Sequence, residues 1–270
     1  VWVDTDPGLG LPFVDVDDAI AIHALLAAGV PVAGLSTCFG NARLARVHAV
    51  AEDLGRRWAL PVHRGAAGPL DTSTPAVEAL CAHRGVVLAI GPLTNIAAAL
   101  RRGARWSRLI VLGGTTRWGW NVRPLRTTEL NFACDLSAAS VVLDAGPDIV
   151  PMEPCRKVWL RARDLEVLPT WMARRCRSWL AAAPVHSRRR AFRPWDLVAS
   201  MWLIQPGLFE TRRGRFELIR DPFRAGHVHF RDGAGTIVQD VDALGLVNAW
   251  KTLCRAADAS SVPTDPRSTE

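Results

Sequence analysis

Asp4-Thr5-Asp6-Pro7-Gly8 and, after an eight-residue spacer, Asp17-Asp18 place four carboxylates near the start of the chain. Val1-Trp2-Val3 reads as a buried strand, so Asp4 and Asp6 fall at its C-terminal end. Pro7, Gly8 and Gly10 stop that strand and open a loop. Asp17 and Asp18 then begin an apolar helical run, where carboxylates suit the positive end of the helix dipole. Asp before a helix is often only a cap, and Asp-Pro-Gly often only a turn. Two such devices at one strand end leave spare carboxylates that repel one another. Their natural partner is a hard divalent cation, and an all-oxygen set favours calcium or magnesium. Asp15, just ahead of the pair, is a further candidate for a metal or substrate contact.

Such residues need a scaffold that brings strand ends together. Apolar strands at 1–4, 31–36, 86–90, 108–112 and 148–152 alternate with helical patterns at 17–28, 41–58, 74–83, 94–102 and 135–145, with a short strand expected at 61–63. That alternation predicts an α/β, Rossmann-like fold: a mostly parallel central sheet with helices on both faces. Helices are expected at 163–182 and 194–205. Short strands at 214–219, 226–231 and 235–240 predict a small antiparallel edge, before a last helix near 241–254. We read residues 1–255 as one domain and 256–270 as a polar tail. Ligands of open parallel sheets sit outside the carboxyl ends of the strands. Polar clusters fall at those ends: Ser36 to Asn41, Gly91-Pro92-Leu93-Thr94-Asn95, Gly113 to Thr116, Asn121, and Glu129-Leu130-Asn131. Glu129 and Asn131 are two apart, so in an extended segment both would point to one side.

Composition bounds the function. The net charge is +7, but 31 of the 33 basic residues are arginine, a skew that fits a GC-rich genome. Arg188-Arg189-Arg190 is the one tight basic run and no nucleic-acid-binding motif accompanies it, so the charge reads as a solvated surface with some attraction for anions. No apolar run is long enough for a membrane span, and no leader pattern stands before the first strand. The chain starts inside that strand, so residues are expected to precede it. Six scattered cysteines without a C-x-x-C pair read as core residues of a protein from a reducing cytosol. His227 and His229 alternate on an expected strand and share a face, but no third zinc ligand accompanies them.

These segments resemble, in order, the inosine-uridine-preferring nucleoside hydrolases: Asp4-Thr5-Asp6-Pro7-Gly8, Asp17-Asp18-Ala19, Phe39-Gly40-Asn41, Ile90 to Asn95, Leu112-Gly113-Gly114, Glu129-Leu130-Asn131 and Asp135 to Ala139. The resemblance implies one Ca2+ held by Asp6, Asp18, Asp196 and the Thr94 carbonyl, with Asp6 also the general base. It implies that Asp17, Asn41, Asn121, Glu129 and Asn131 grip ribose hydroxyls, and that Asp4 supports them. The implied reaction is hydrolysis of the N-glycosidic bond of ribonucleosides through a ribosyl cation. A cytoplasmic homo-oligomer, dimer or tetramer, serving purine salvage is implied as well.

The chain departs from the family pattern in three places. Many relatives carry His before the last metal-binding Asp, where this chain has Trp195, as in the purine-preferring branch. An indole there would stack on the base, and Trp118 and Trp120 could add a second aromatic wall. The spacer Leu9–Val16 is an insert, and no base-covering His-Gly segment stands between Pro69 and Val86. Two rival readings follow. One is a ribonucleoside-binding homologue without turnover. The other is an Asp-nucleophile phosphatase of the haloacid dehalogenase type, which Gly8 and the scarcity of lysine oppose.

Overall fold

The computed structural model describes residues 1–116, 129–182, 191–221 and 223–261. Trp118, Trp120, Asn121 and Arg188 to Arg190 lie outside them. Strands β1 (Trp2–Thr5), β2 (Gly34–Thr37), β3 (Val62–His63), β4 (Val86–Ala89), β5 (Arg108–Leu112) and β6 (Asp148–Val150) are joined by β10 (Val228–Val241) and β9 (Phe209–Leu218) in one eight-stranded sheet. Its order is β3-β2-β1-β4-β5-β6-β10-β9. All neighbours pair in parallel except β9 and β10. A separate antiparallel ribbon joins β7 (Leu160–Arg161) to β8 (Ala191–Phe192).

The strand period of two builds two cores from one sheet. Val3, Leu35, Leu88, Ile110 and Val150 face helices Asp17–Ala27, Trp195–Ile204 and Ala243–Ser261. Trp2, Val87, Ala89, Val111, Ile149 and Ile237 face helices Pro75–Ala82, Thr94–Arg101 and Leu136–Asp144. Both faces are covered, as the apolar strand runs predict. Local signals fix several helix starts. Thr74 caps Pro75–Ala82 by accepting from the Val77 amide, with Pro75 at the first position. Asp135 caps Leu136–Asp144 through the Ala138 amide.

Four expectations shift. The predicted helix 163–182 is a 3-10 turn, Ala162–Val167, and a helix, Thr170–Ala182; Pro169 forces Leu168 into an extended conformation, with ψ 153°. The expected strands 226–231 and 235–240 are one strand, β10, with a register shift between Arg231 and Thr236. Its partner β9 starts five residues ahead of the expected 214. The last helix runs past Cys254 to Ser261. All six cysteines are unpaired and four are fully buried. Among the described residues no helix is long and apolar enough to cross a membrane.

Candidate active site

The site forms where two helix N-termini meet the end of β1. Helices Asp17–Ala27 and Trp195–Ile204 pack side by side, each with acid in its first turn. The Asp196 amide donates to Asp17 Oδ2 at 3.2 Å. Carboxylate oxygens of Asp17, Asp18 and Asp196 all lie within 4.8 Å of one another, and all three residues are buried. Asp18 is held by the end of β1: Oδ1 accepts from the Thr5 hydroxyl at 2.6 Å and the Asp6 amide at 3.2 Å. Two convergent dipoles favour negative charge at this point, but three carboxylates exceed what partial charges balance.

Asp6 follows β1. Its Oδ2 accepts from the Asn41 amide at 2.6 Å, and the Asn41 side chain donates to the Asp6 carbonyl and to Asp18 Oδ2 at 3.3 and 3.4 Å. The carboxylate lies between Gly40 and Gly91. A Cβ at Gly40 would collide with Oδ2, and one at Gly91 would lie 3.0 Å from Oδ1. Glycine is needed at both because the backbone comes so close.

The pocket above these groups is lined by Asp6, Asp15, Asp17, Glu129 and Asp196, by Asn41 and Asn131, and by Ile90, Leu112, Leu130, Met152 and Trp195. Asp15 reaches it from the insert, whose ends Leu9 and Val16 are buried in the core. Phe13 between them is held at φ 59°, a conformation that costs a bulky residue about 1–2 kcal/mol. Asp18 and Thr94 are buried but do not line the pocket. The Thr94 hydroxyl donates to Asp135 at 2.8 Å, so one aspartate caps its own helix and steadies the turn at Thr94. Asp4 supports from below: its Oδ1 accepts from the hydroxyl of Ser36 and from Asn95 at 2.9 Å.

The expected role of Glu129 and Asn131 changes in detail. They do not form an extended pair. Glu129 caps the short helix Leu130–Cys134, its two oxygens accepting from the amides of Asn131 and Phe132 at 2.9 and 3.0 Å. The Asn131 amide group donates to the carbonyls of Ile90 and Leu112, both at 3.1 Å. Its side-chain oxygen is what it can offer a ligand. Apart from Trp195, the apolar members of the lining were missed as site residues in the sequence. Their signal was position, since Ile90 follows β4, Leu112 ends β5 and Met152 follows β6. His227, just ahead of β10, is buried, whereas His229 within it is exposed. Among the described residues only the aspartate cluster has the spacing of a metal site.

Electrostatics favour a cation at this cluster. Burial, then mutual repulsion, pushes the carboxyls of Asp6, Asp17 and Asp196 well above the usual range. Burial raises Asp18 to about 6, and Asp4 and Glu129 each to about 7, against the hydrogen bonds they accept. A carboxyl whose pKa is raised on folding stabilises the fold while protonated, and that contribution is lost as pH rises through the folded value. The metal-free protein should therefore lose at least about 5 °C of melting temperature between about pH 4 and pH 8. A divalent cation should restore more of it at pH 8 than at pH 5. A melting temperature that stays level or rises over that window in chelated protein would contradict this picture. The donor set fits a hard cation: all oxygen, anionic, buried, with no Lys, Arg or His among the described lining residues.

Residues 1–248 match the sequence model of the inosine-uridine preferring nucleoside hydrolases. The chain is 33% identical over 192 residues to probable uridine nucleosidase 2 of Oryza sativa subsp. japonica, covering 55% of this chain and 54% of that protein; it thus spans about half of that relative's length. It is 27% identical over 288 residues to the non-specific ribonucleoside hydrolase RihC of Escherichia coli (strain K12), covering 90% of this chain and 88% of that one. A plant nucleoside hydrolase superposes with a TM-score of 0.78 at 20% identity, covering 94% of this chain and 98% of that one. A purine-preferring ribonucleoside hydrolase from Gardnerella vaginalis does so with 0.78 at 16%, covering 96% and 99%. At such identities the superpositions speak for the fold. With the match running from β1 through the last helix's first turns, the chain belongs to the inosine-uridine preferring nucleoside hydrolase family, a family of N-glycosyl hydrolases.

Proposed function

We propose that this protein hydrolyses the N-glycosidic bond of ribonucleosides with Ca2+ bound at the aspartate cluster, and that it prefers purines. The observation that carries the reading is the pocket lined by five carboxylates at the C-terminal ends of β1, β4, β5 and β6. Asp6, Asp18, Asp196 and the Thr94 carbonyl would hold the ion. Asp17, which sits in the tight triad with Asp18 and Asp196 and lines the pocket as Asp6 does, is a rival to Asp6 as third carboxylate; Asp6 is preferred on the family resemblance alone. Bound there, Ca2+ would grip the ribose diol and acidify the attacking water.

The chain's own residues do the rest. Asp6 takes the proton of the attacking water as its oxygen bonds to C1′. The C1′–N bond breaks with its electron pair left on the base nitrogen, and the base takes a proton from solvent. Positive charge on the ribosyl ring is met by Asp17 and Glu129. Asn41, Asn131 and, outside the described residues, Asn121 orient the hydroxyls. Ile90, Leu112 and Met152 keep water from the ring. Free base and ribose would enter purine salvage in the cytoplasm, and the active form would be a homo-oligomer, as in the family.

Trp195 gives the specificity. It lines the pocket beside Asp196, offering a broad face and no acid. Purine N7 can take a proton from water, whereas pyrimidines lack that site. Inosine, adenosine or guanosine should turn over faster than uridine or cytidine. Trp195→Ala should lose about 1–3 kcal/mol of purine stacking while keeping the metal. The kcat/KM values of both proteins for inosine and uridine check this; a wild-type preference for uridine, or unchanged purine activity in Trp195→Ala, would remove Trp195 from base recognition. The absence of imidazole from the described lining favours one second reading, a binding protein without turnover. Release of free base from a nucleoside panel decides between them. Steady release supports the enzyme, and saturable binding without release supports the binding protein.

A further inference from the structure

The leaving base is the part of this reaction that the pocket lining serves least. When the C1′–N bond breaks, the electron pair goes to the base nitrogen, so negative charge grows there as positive charge grows on the sugar. Five carboxylates favour the second and oppose the first. Beside the Trp195 indole, however, and not among the lining residues, stands a cation. Arg193 precedes Trp195 by two residues. Its guanidinium carbon lies 4.3 Å from the centroid of the Trp159 ring and 5.8 Å from that of Trp195, both within cation–π reach. Its Nε donates to the Arg156 carbonyl at 3.1 Å. The planar cation is thus within reach of two indole rings and tied to backbone.

The two-stranded ribbon makes this arrangement. Trp159 directly precedes β7, and Arg193 directly follows β8. Pairing of Leu160 with Phe192 and of Arg161 with Ala191 sets them side by side. Phe192 is buried, with its ring edge-on to Trp179 at 5.3 Å. Pro194 then leads into the helix that carries Trp195 and Asp196. A ribbon too short to contribute a core of its own therefore aligns Trp159, Arg193 and Trp195, and the next residue joins the acidic cluster.

We propose that Arg193 is a positioning and specificity-determining residue: set against Trp159 and Trp195, it fixes the Trp195 indole as the base-stacking wall and holds a permanent positive charge beside it that favours departure of the anionic base. The inference rests on the ribonucleoside reading above. A guanidinium suits the task because it is planar, always charged and stacks on aromatic faces. Charge fixed in advance at the point where charge develops lowers the barrier without reorganisation.

The test uses two substrates that share the ribose and differ in the leaving group: inosine, and 4-nitrophenyl β-D-ribofuranoside, whose nitrophenolate departs without help. Arg193→Ala and Arg193→Gln should lose about tenfold in kcat/KM for inosine, between the sizes of an exposed and a desolvated cation–π contact, and less than about threefold for the nitrophenyl riboside. Arg193→Lys should recover part of the loss. The ratio of the two activities is taken within each variant, so a partly unfolded preparation does not distort it. Equal losses on both substrates would reduce Arg193 to a structural clamp and overturn the proposal, as would unchanged inosine turnover in Arg193→Gln. Wild-type protein that releases neither hypoxanthine nor nitrophenolate would overturn the ribonucleoside reading instead, and this inference with it.

Discussion

Asp6→Asn should lower kcat by at least about a hundredfold, the low end of what a positioned general base supplies. The substitution keeps the shape of the side chain. The backbone amide of Asn41, which donates to Asp6 Oδ2 at 2.6 Å, can still donate to the new amide oxygen. What is lost is a proton acceptor and one negative charge in a site where burial has removed water. Metal affinity should weaken too, so turnover is measured at saturating Ca2+ with occupancy checked by elemental analysis. Near-normal turnover with the ion present would move the base role to Asp15 or Asp17, which also line the pocket.

Removal of the divalent cation should have the larger effect. Asp17, Asp18 and Asp196 crowd their oxygens within 4.8 Å, and without a cation their charges repel strongly in a buried setting. A chelated protein should release free base more than about a thousandfold more slowly, since it loses both the water's activation and the anchor of the ribose. Ca2+ should restore turnover, and Asp196→Ala should not be restored at any Ca2+ concentration that restores the wild type. Full activity after chelation, with metal content confirmed below stoichiometry, would contradict the cation's role.

The architecture was legible because its signals are local. Alternating apolar strands and capped helices, such as Thr74-Pro75 and Asp135, need no tertiary context. Asp17 and Asp18 were legible as first-turn acids, and Asp4 and Asp6 as strand-end acids. Asp196 was legible only through the family's motif, since nothing local says that a helix 179 residues after Asp17 will lay its first turn against it. Glu129 misled because a cap and an extended residue look alike when the helix they open has five residues. The ribbon of β7 and β8 has two residues in each strand, too few for a period-two pattern. Arg193 was therefore one arginine among 31. Only folding sets it against Trp159 and Trp195. The joined strand β10 was read as two because Gly233 and Gly235 look like a turn, whereas the structure uses them near the register shift between Arg231 and Thr236.

The central claim is that the aspartate cluster and the pocket above it are one metal and ribose site. A crystal structure with Ca2+ and a ribonucleoside-like imino-ribitol tests it most directly. One ion should lie about 2.3–2.6 Å from side-chain oxygens of Asp6, Asp18 and Asp196 and from the Thr94 carbonyl, with the ligand's diol on that ion and its base analogue against Trp195. An ion bound without Asp6 and Asp196, or an imino-ribitol seated away from Asp17, Asn41 and Asn131, would contradict it.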